Sequence, residues 1–146
     1  MRGGSLMKYA RNVYSQNGED GVLHEVFKRL GITKGTFVEF GAGNGRDLSN
    51  TLRLAESGWS GVWIEADMQS AAKAAEEAKR FDGRVEVLQT TVELEGINRL
   101  DAILACTQLG LMTGNCGLDF MSIDIDSHDL AVWASLYAYH PKVVLI

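Results

Sequence analysis

Thr36-Phe37-Val38-Glu39-Phe40-Gly41-Ala42-Gly43-Asn44-Gly45 is the stretch that decides how this chain folds. The run Thr36 to Phe40 is rich in β-branched and aromatic residues and has the length of a buried parallel strand. Gly41, Gly43 and Gly45 allow backbone angles that a side chain forbids, and they let the backbone approach a ligand closely. Asp47-Leu48-Ser49-Asn50 then reads as the opening of a helix, which would aim amide groups and a helix N-terminus into one crevice. Strand, glycine turn and helix form the first half of a βαβ unit, and a nucleotide-like cofactor suits that crevice.

Working outward, Gly61 to Glu65 is a second apolar run that ends in an acid. Glu65 lies 24 positions after Gly41, where an acidic residue is placed to bond ribose hydroxyls. Upstream, Asp20 to Leu30 has helical periodicity, with Val22, Leu23, Val26, Phe27 and Leu30 on one face and Gly31 as its stop. Further helices are predicted over Asp47–Ser57 (Leu48, Leu52 and Ala55 inward), Met68–Arg80, Gly96–Leu109 and His128–Tyr139. The last would turn Leu130, Trp133, Leu136 and Tyr137 to the sheet. Strands are predicted over Arg84–Gln89, Leu118–Ile125 and Lys142–Ile146, with Trp59 and Trp63 packed around the second strand. This alternation implies an α/β, Rossmann-like, doubly wound parallel sheet. Glu39 to Gly45, Glu65, Thr90 to Val92 and Asp124 to Asp129 would then all fall at carboxyl ends of strands, where such sheets bind ligands.

A chain of 146 residues suggests one domain, taken as 14–146. Residues 1–13 read as a tail, partly vector-derived, with a native start at Met7 and no apolar core of a signal peptide. The net charge is −5 without a basic run, which disfavours nucleic acid as a partner. No run of 18 apolar residues points to a membrane. Cys106 and Cys116 form neither a metal spacing nor a disulfide framework, which suggests a reduced, cytoplasmic setting.

The cofactor is narrowed by two details. A dinucleotide fingerprint asks for a third glycine where this chain has Arg46. Glu39, two residues before the first glycine, suits a cationic ligand better than a pyrophosphate. The pattern Glu39-x-Gly41-x-Gly43-x-Gly45 resembles motif I of the class I S-adenosylmethionine (SAM) methyltransferases, whose cofactor carries an ammonium and a sulfonium.

Two longer segments are similar to the FkbM-type methyltransferases. Tyr14-Ser15-Gln16-Asn17-Gly18-Glu19-Asp20 resembles the segment that opens that family, and Leu118-Asp119-Phe120-Met121-Ser122-Ile123-Asp124-Ile125-Asp126 resembles its fourth strand. Gly58-Trp59-Ser60-Gly61 and Pro141-Lys142-Val143-Val144 add to the likeness, which covers the chain from about Tyr14 onward. The resemblance implies strand order 3-2-1-4-5. It also implies cofactor contacts from Glu39, Gly41, Gly43 and Glu65, with Ala42, Asn44, Ala66 and Asp124 beside them. Gln16 and Asn17 would cap the pocket, and Thr91 would lie near the adenine. It further implies a SAM-dependent methyltransferase that acts on a small-molecule or sugar hydroxyl.

Such a reaction needs alignment of acceptor, methyl and sulfur, and deprotonation of the hydroxyl. Asp124, Asp126 and His128 are the candidate catalytic residues, with Asp129 close by. Along a strand Asp124 and Asp126 would point to one side, and the pair could recruit a divalent cation such as magnesium, although a third ligand is missing. His128 suits a general base, and equally suits a solvated position at a helix start, where Asp126 or Ser127 would be the cap.

A complete methyltransferase sheet of this class has two further strands, so the chain reads as C-terminally short. Val143 to Ile146 would then form an exposed edge that favours homo-oligomers. The alternative function is a catalytically inactive, methyltransferase-like module that self-associates through this strand. An NAD-type dehydrogenase is a third reading, disfavoured by Glu39 and Arg46.

Overall fold

The computed structural model describes residues 5–113, 117–125 and 128–146. Five strands, β1 (Thr36–Phe40), β2 (Ser60–Glu65), β3 (Val85–Gln89), β4 (Phe120–Ile123) and β5 (Val143–Leu145), form one sheet in the order β3-β2-β1-β4-β5. Every pairing is parallel. β1 is central, with Glu39 in register with Trp63 on one side and Ser122 on the other. Because helices cover both faces, β1, β2 and β4 are buried almost throughout, which explains their near-continuous apolar sequences.

One face carries α1 (Glu19–Leu30), α2 (Leu52–Glu56) and α3 (Met68–Ala78). Their core residues include Leu23, Phe27, Leu52, Ala55 and Ala74, packed on Phe37, Trp63 and Phe120. The other face carries α4 (Leu100–Ala105), α5 (Gln108–Thr113) and α6 (Asp129–Ser135). There Leu100, Leu104 and Val132 pack on Val38, Phe40, Ile64 and Met121. Alternate residues of β1 serve the two faces because successive side chains of a strand point to opposite sides. The winding changes face between β1 and β4, so these strands flank the topological switch point.

Helix ends follow local chemistry where the sequence supplies it. Gly31 ends α1 in the left-handed region, φ 71°, and its amide bonds the carbonyls of Lys28 and Phe27. Asp67 caps α3 by accepting from the Ser70 amide at 2.8 Å. α3 is followed by a 3-10 turn, Lys79–Phe81, so the helix predicted to Arg80 tightens over its last residues.

Three predicted helices are corrected. α2 begins at Leu52 and not at Asp47, because residues 49–51 bond a buried carboxylate, described below. Leu48 consequently sits in a left-handed turn, φ 61°, and is exposed. The helix predicted over Gly96–Leu109 is a 3-10 turn (Gly96–Asn98) followed by α4 and α5. Thr107 makes the break: its hydroxyl donates back to the Leu104 carbonyl at 2.7 Å and accepts from the Gly110 amide at 3.1 Å. It ends one helix and caps the next.

α6 stops at Ser135 because the buried Asp101 carboxylate takes the amides of Tyr137 and Ala138 at 2.9 and 2.8 Å. The inward residue of α6 is Val132, while Leu130, Trp133 and Tyr137 are exposed. Of that predicted face only Leu136 packs against the core. In α1, Leu23 and Phe27 are buried as expected and Leu30 is exposed. Trp59 and Trp63 are both core residues.

No helix among the described residues is long and apolar enough to cross a membrane.

Candidate functional site

The carboxyl ends of four strands meet around a cleft of about 370 Å³. Its walls are Phe40 and Gly41 after β1, Ile64, Glu65 and Ala66 after β2, Thr90 and Val92 after β3, and Asp124 and Ile125 after β4. This is the position where open α/β sheets bind ligands, and the volume suits a small organic molecule.

The glycine turn closes one side. Gly41 has φ +74°, and a Cβ there would lie 1.8 Å from the Asp124 carbonyl oxygen. Glycine at this position therefore lets the ends of β1 and β4 touch. Gly45 also has φ +74°, and a Cβ there would lie 2.7 Å from the Trp63 ring and 3.2 Å from Ala74 Cα. Gly45 thus performs the close packing of turn against helix that a dinucleotide fingerprint assigns to a glycine one residue later.

Four amides of the turn are already engaged. Those of Gly41 and Ala42 donate to the Ile64 carbonyl at 3.1 and 3.2 Å, and that of Gly45 to the Ala42 carbonyl at 2.9 Å. Glu65 accepts from the Gly43 amide at 2.7 Å with one oxygen and from the Asp67 amide at 2.8 Å with the other. A carboxylate has about four lone-pair sites, so Glu65 keeps acceptor capacity toward the cleft. Asn44 Oδ1 accepts from the amides of Arg46 and Asp47 at 3.0 and 2.8 Å, which shapes the outer part of the turn. The expected helix N-terminus is absent from this crevice, since α2 starts further on.

Glu39 is buried on the face opposite Phe40, beneath the turn. The Ser49 hydroxyl, the Asn50 amide and the Thr51 hydroxyl donate to its carboxylate at 2.8, 2.8 and 2.6 Å. Trp63 Nε1 donates to Thr51 Oγ1 at 2.7 Å, and Asn50 Nδ2 to Ser122 Oγ at 3.0 Å. One row of residues across β2, β1 and β4 is thereby bonded to loop 49–51. Burial raises the Glu39 pKa above the usual carboxylate range, while the bonds from Thr51, Asn50 and Ser49 act the other way and Asp124 adds repulsion.

Of the residues singled out from sequence, Gly41, Glu65, Ala66 and Asp124 line the cleft. Glu39, Ala42, Gly43, Asn44, Thr91, Gln16, Asn17 and His128 do not. Gln16, Asn17 and Thr91 are exposed, and Thr90 takes the wall position next to Thr91. Asp124 is exposed just beyond β4, and His128 is exposed at the start of α6, whose Asp129 carboxylate accepts from the Ile125 amide at 2.8 Å. Asp126 and Ser127 lie outside the described residues, and with Asp126 goes half of the predicted metal pair. Among the described residues no group of three His, Cys, Asp or Glu side chains is placed to hold a metal. Phe40 and Ile64 border the cleft while their side chains are buried in the core, and of the lining residues only Ile64 lay outside the segments and residues that the sequence places at the ligand edge.

The segment Tyr14 to Asp20 folds on itself. Asp20 Oδ2 accepts from the amides of Val13, Tyr14 and Ser15, each at 2.8 Å, and its own amide donates to Ser15 Oγ. Gly18, φ +97°, donates to Asn12 Oδ1. Tyr14 Oη donates to Glu56 of α2 at 2.9 Å, anchoring the segment on the helical face. At the opposite end of the sheet, Asp119 accepts from the Thr36 amide at 2.9 Å and from Lys142 Nζ at 2.6 Å, which ties together the starts of β1, β4 and β5.

No protein-family model matches the chain, and no curated protein matches it.

Proposed function

We propose that the cleft binds S-adenosylmethionine and that the protein transfers its methyl group to a hydroxyl of a small molecule. The observation that carries this reading is the pairing of Glu65 with a turn whose three glycine amides are already spent. A pyrophosphate needs free backbone donors at the turn, whereas Gly41, Ala42, Gly43 and Gly45 all donate within the protein. A nucleoside without phosphates needs a ribose acceptor and some apolar wall, for which Glu65, Val92 and Ile125 are suited. The likeness of Tyr14–Asp20 and Leu118–Asp126 to the FkbM-type methyltransferases points the same way.

Bound SAM would supply an electrophilic methyl group on a good leaving group. Glu65 would hold the ribose hydroxyls, and Val92 and Ile125 would exclude water around the base. Asp124, on the cleft wall, and His128, at the start of α6, are the described groups suited to take the proton of the acceptor hydroxyl. Glu39 would act at one remove, by fixing loop 49–51 under the glycine turn. The same reading includes pairing of two copies along the outer edge of β5, which has no partner strand among the described residues. A purely monomeric species at high micromolar concentration in sedimentation would remove that part.

Calorimetry with SAM, S-adenosylhomocysteine and NAD tests the cofactor. Saturable binding of the first two and not of NAD, weakened by Glu65→Ala, is the expected result. Binding of NAD alone, or of none of them by the folded protein, would overturn the reading.

A further inference from the structure

A second cavity, of about 330 Å³, lies between α1 and α2 and shares no lining residue with the cleft. Its floor is apolar and partly aromatic, made by Leu23, Phe27, Leu54 and Trp59. The Phe27 and Trp59 rings stand 4.6 Å apart, tilted by 54°, in a packed arrangement. Its wall carries three basic side chains, His24, Lys28 and Arg53.

Arg53 is half-buried, and among the described residues it has no carboxylate within ion-pair distance and no acceptor for its guanidinium. Lys28 likewise makes no direct ion pair there and acts on Glu25 only at longer range. The one acid on the wall, Asp20, has an oxygen committed to three backbone amides. The surrounding sequence is locally basic. Residues 5–34 hold five lysines and arginines against three acids, in a chain of net charge −5.

A half-buried guanidinium offers five donors in a planar fork, and an anion satisfies them best. We propose that this cavity is a binding site for a small amphipathic anion. A flat apolar body would rest on Phe27, Leu54 and Trp59, and a carboxylate or similar head would bond Arg53 and Lys28. Asn50 reaches this site from the loop beneath the glycine turn. It lines the cavity while its amide nitrogens bond Glu39 and Ser122.

The test titrates the protein with 2-naphthoate, and with neutral 2-naphthamide as control, by calorimetry and two-dimensional NMR. The expected result is saturable one-to-one binding of the carboxylate, with shifts at His24 and the Trp59 indole and none at Glu65 or Thr90. Lys28→Gln/Arg53→Gln should weaken it by about tenfold or more, the range of a charge-assisted bond. Arg46→Gln, a cation elsewhere on the surface paired with Glu77 at 3.4 Å, should leave it unchanged. Equal affinity for the amide, equal affinity in the double variant, or shifts confined to the cleft would each overturn the proposal. So would the absence of saturable binding. The NMR location decides the matter even if the double variant is poorly folded.

Discussion

Glu65 accepts the Gly43 amide at 2.7 Å, which joins the carboxyl end of β2 to the turn that follows β1. One carboxylate thus both braces the turn and faces the cleft. Glu65→Gln keeps an acceptor for Gly43 and loses the charge, while Glu65→Ala loses both. Hydrogen bonds to a charged group contribute about 1.5–3 kcal/mol. SAM affinity should therefore fall by roughly ten- to a hundredfold in Glu65→Ala and less in Glu65→Gln. Calorimetry checks the order, and equal affinities of all three proteins would exclude a ribose contact.

Gly41 and Gly43 both have positive φ, yet they differ in surroundings. A Cβ on Gly43 meets nothing within 4 Å, whereas one on Gly41 collides with the Asp124 carbonyl. Gly43→Ala should cost about 1–2 kcal/mol, the penalty of a left-handed residue. Gly41→Ala should cost clearly more and should perturb backbone amides on β4. Urea unfolding and amide chemical shifts measure both. Equal destabilisation would contradict the contact.

Asp20 holds three amides from a buried position. Asp20→Ala leaves those donors without their acceptor, and the expected loss is about 1–3 kcal/mol, the cost of a buried donor left unpaired. Asp20→Asn retains a carbonyl acceptor and should lose less. A change within about 0.5 kcal/mol for Asp20→Ala, the size of an ordinary surface substitution, would mean that the segment is held by other contacts.

Glu39 gives a signed pH dependence. Burial raises its pKa above the ordinary 4.5, so the native state binds this proton more tightly than the unfolded chain. The corresponding stabilisation is complete below about pH 4.5 and is lost as pH rises through the raised native value. Glu39→Gln, neutral at every pH, lacks this slope. The difference in melting temperature, native protein minus variant, should fall with rising pH across that window. A difference that grows with pH would show that the three donors outweigh desolvation.

The strands and their direction were legible in the sequence, because strands buried on both faces are written as apolar runs and the glycine turn follows the first of them directly. The two best-delimited helices, α1 and α3, carry their own stop and start signals in Gly31 and Asp67. Most of the cleft could be picked out for a related reason: a parallel sheet puts every carboxyl end on one edge, so Glu65, Thr90 and Asp124 need no long-range information to be placed there.

What only the tertiary structure decided concerns side chains that act across long separations. Nothing near Glu39 in sequence says that its oxygens are taken by residues 49–51, and the charge argument that assigned it to a ligand misses a partner 10 to 12 positions away. Asp101 ends α6 from 36 and 37 positions away, which helical periodicity cannot report. Local patterns set the elements because they reflect propensity and the two faces of each strand. The ends of α2 and α6 depend on which buried carboxylate captures the backbone, and that is settled only when distant segments meet.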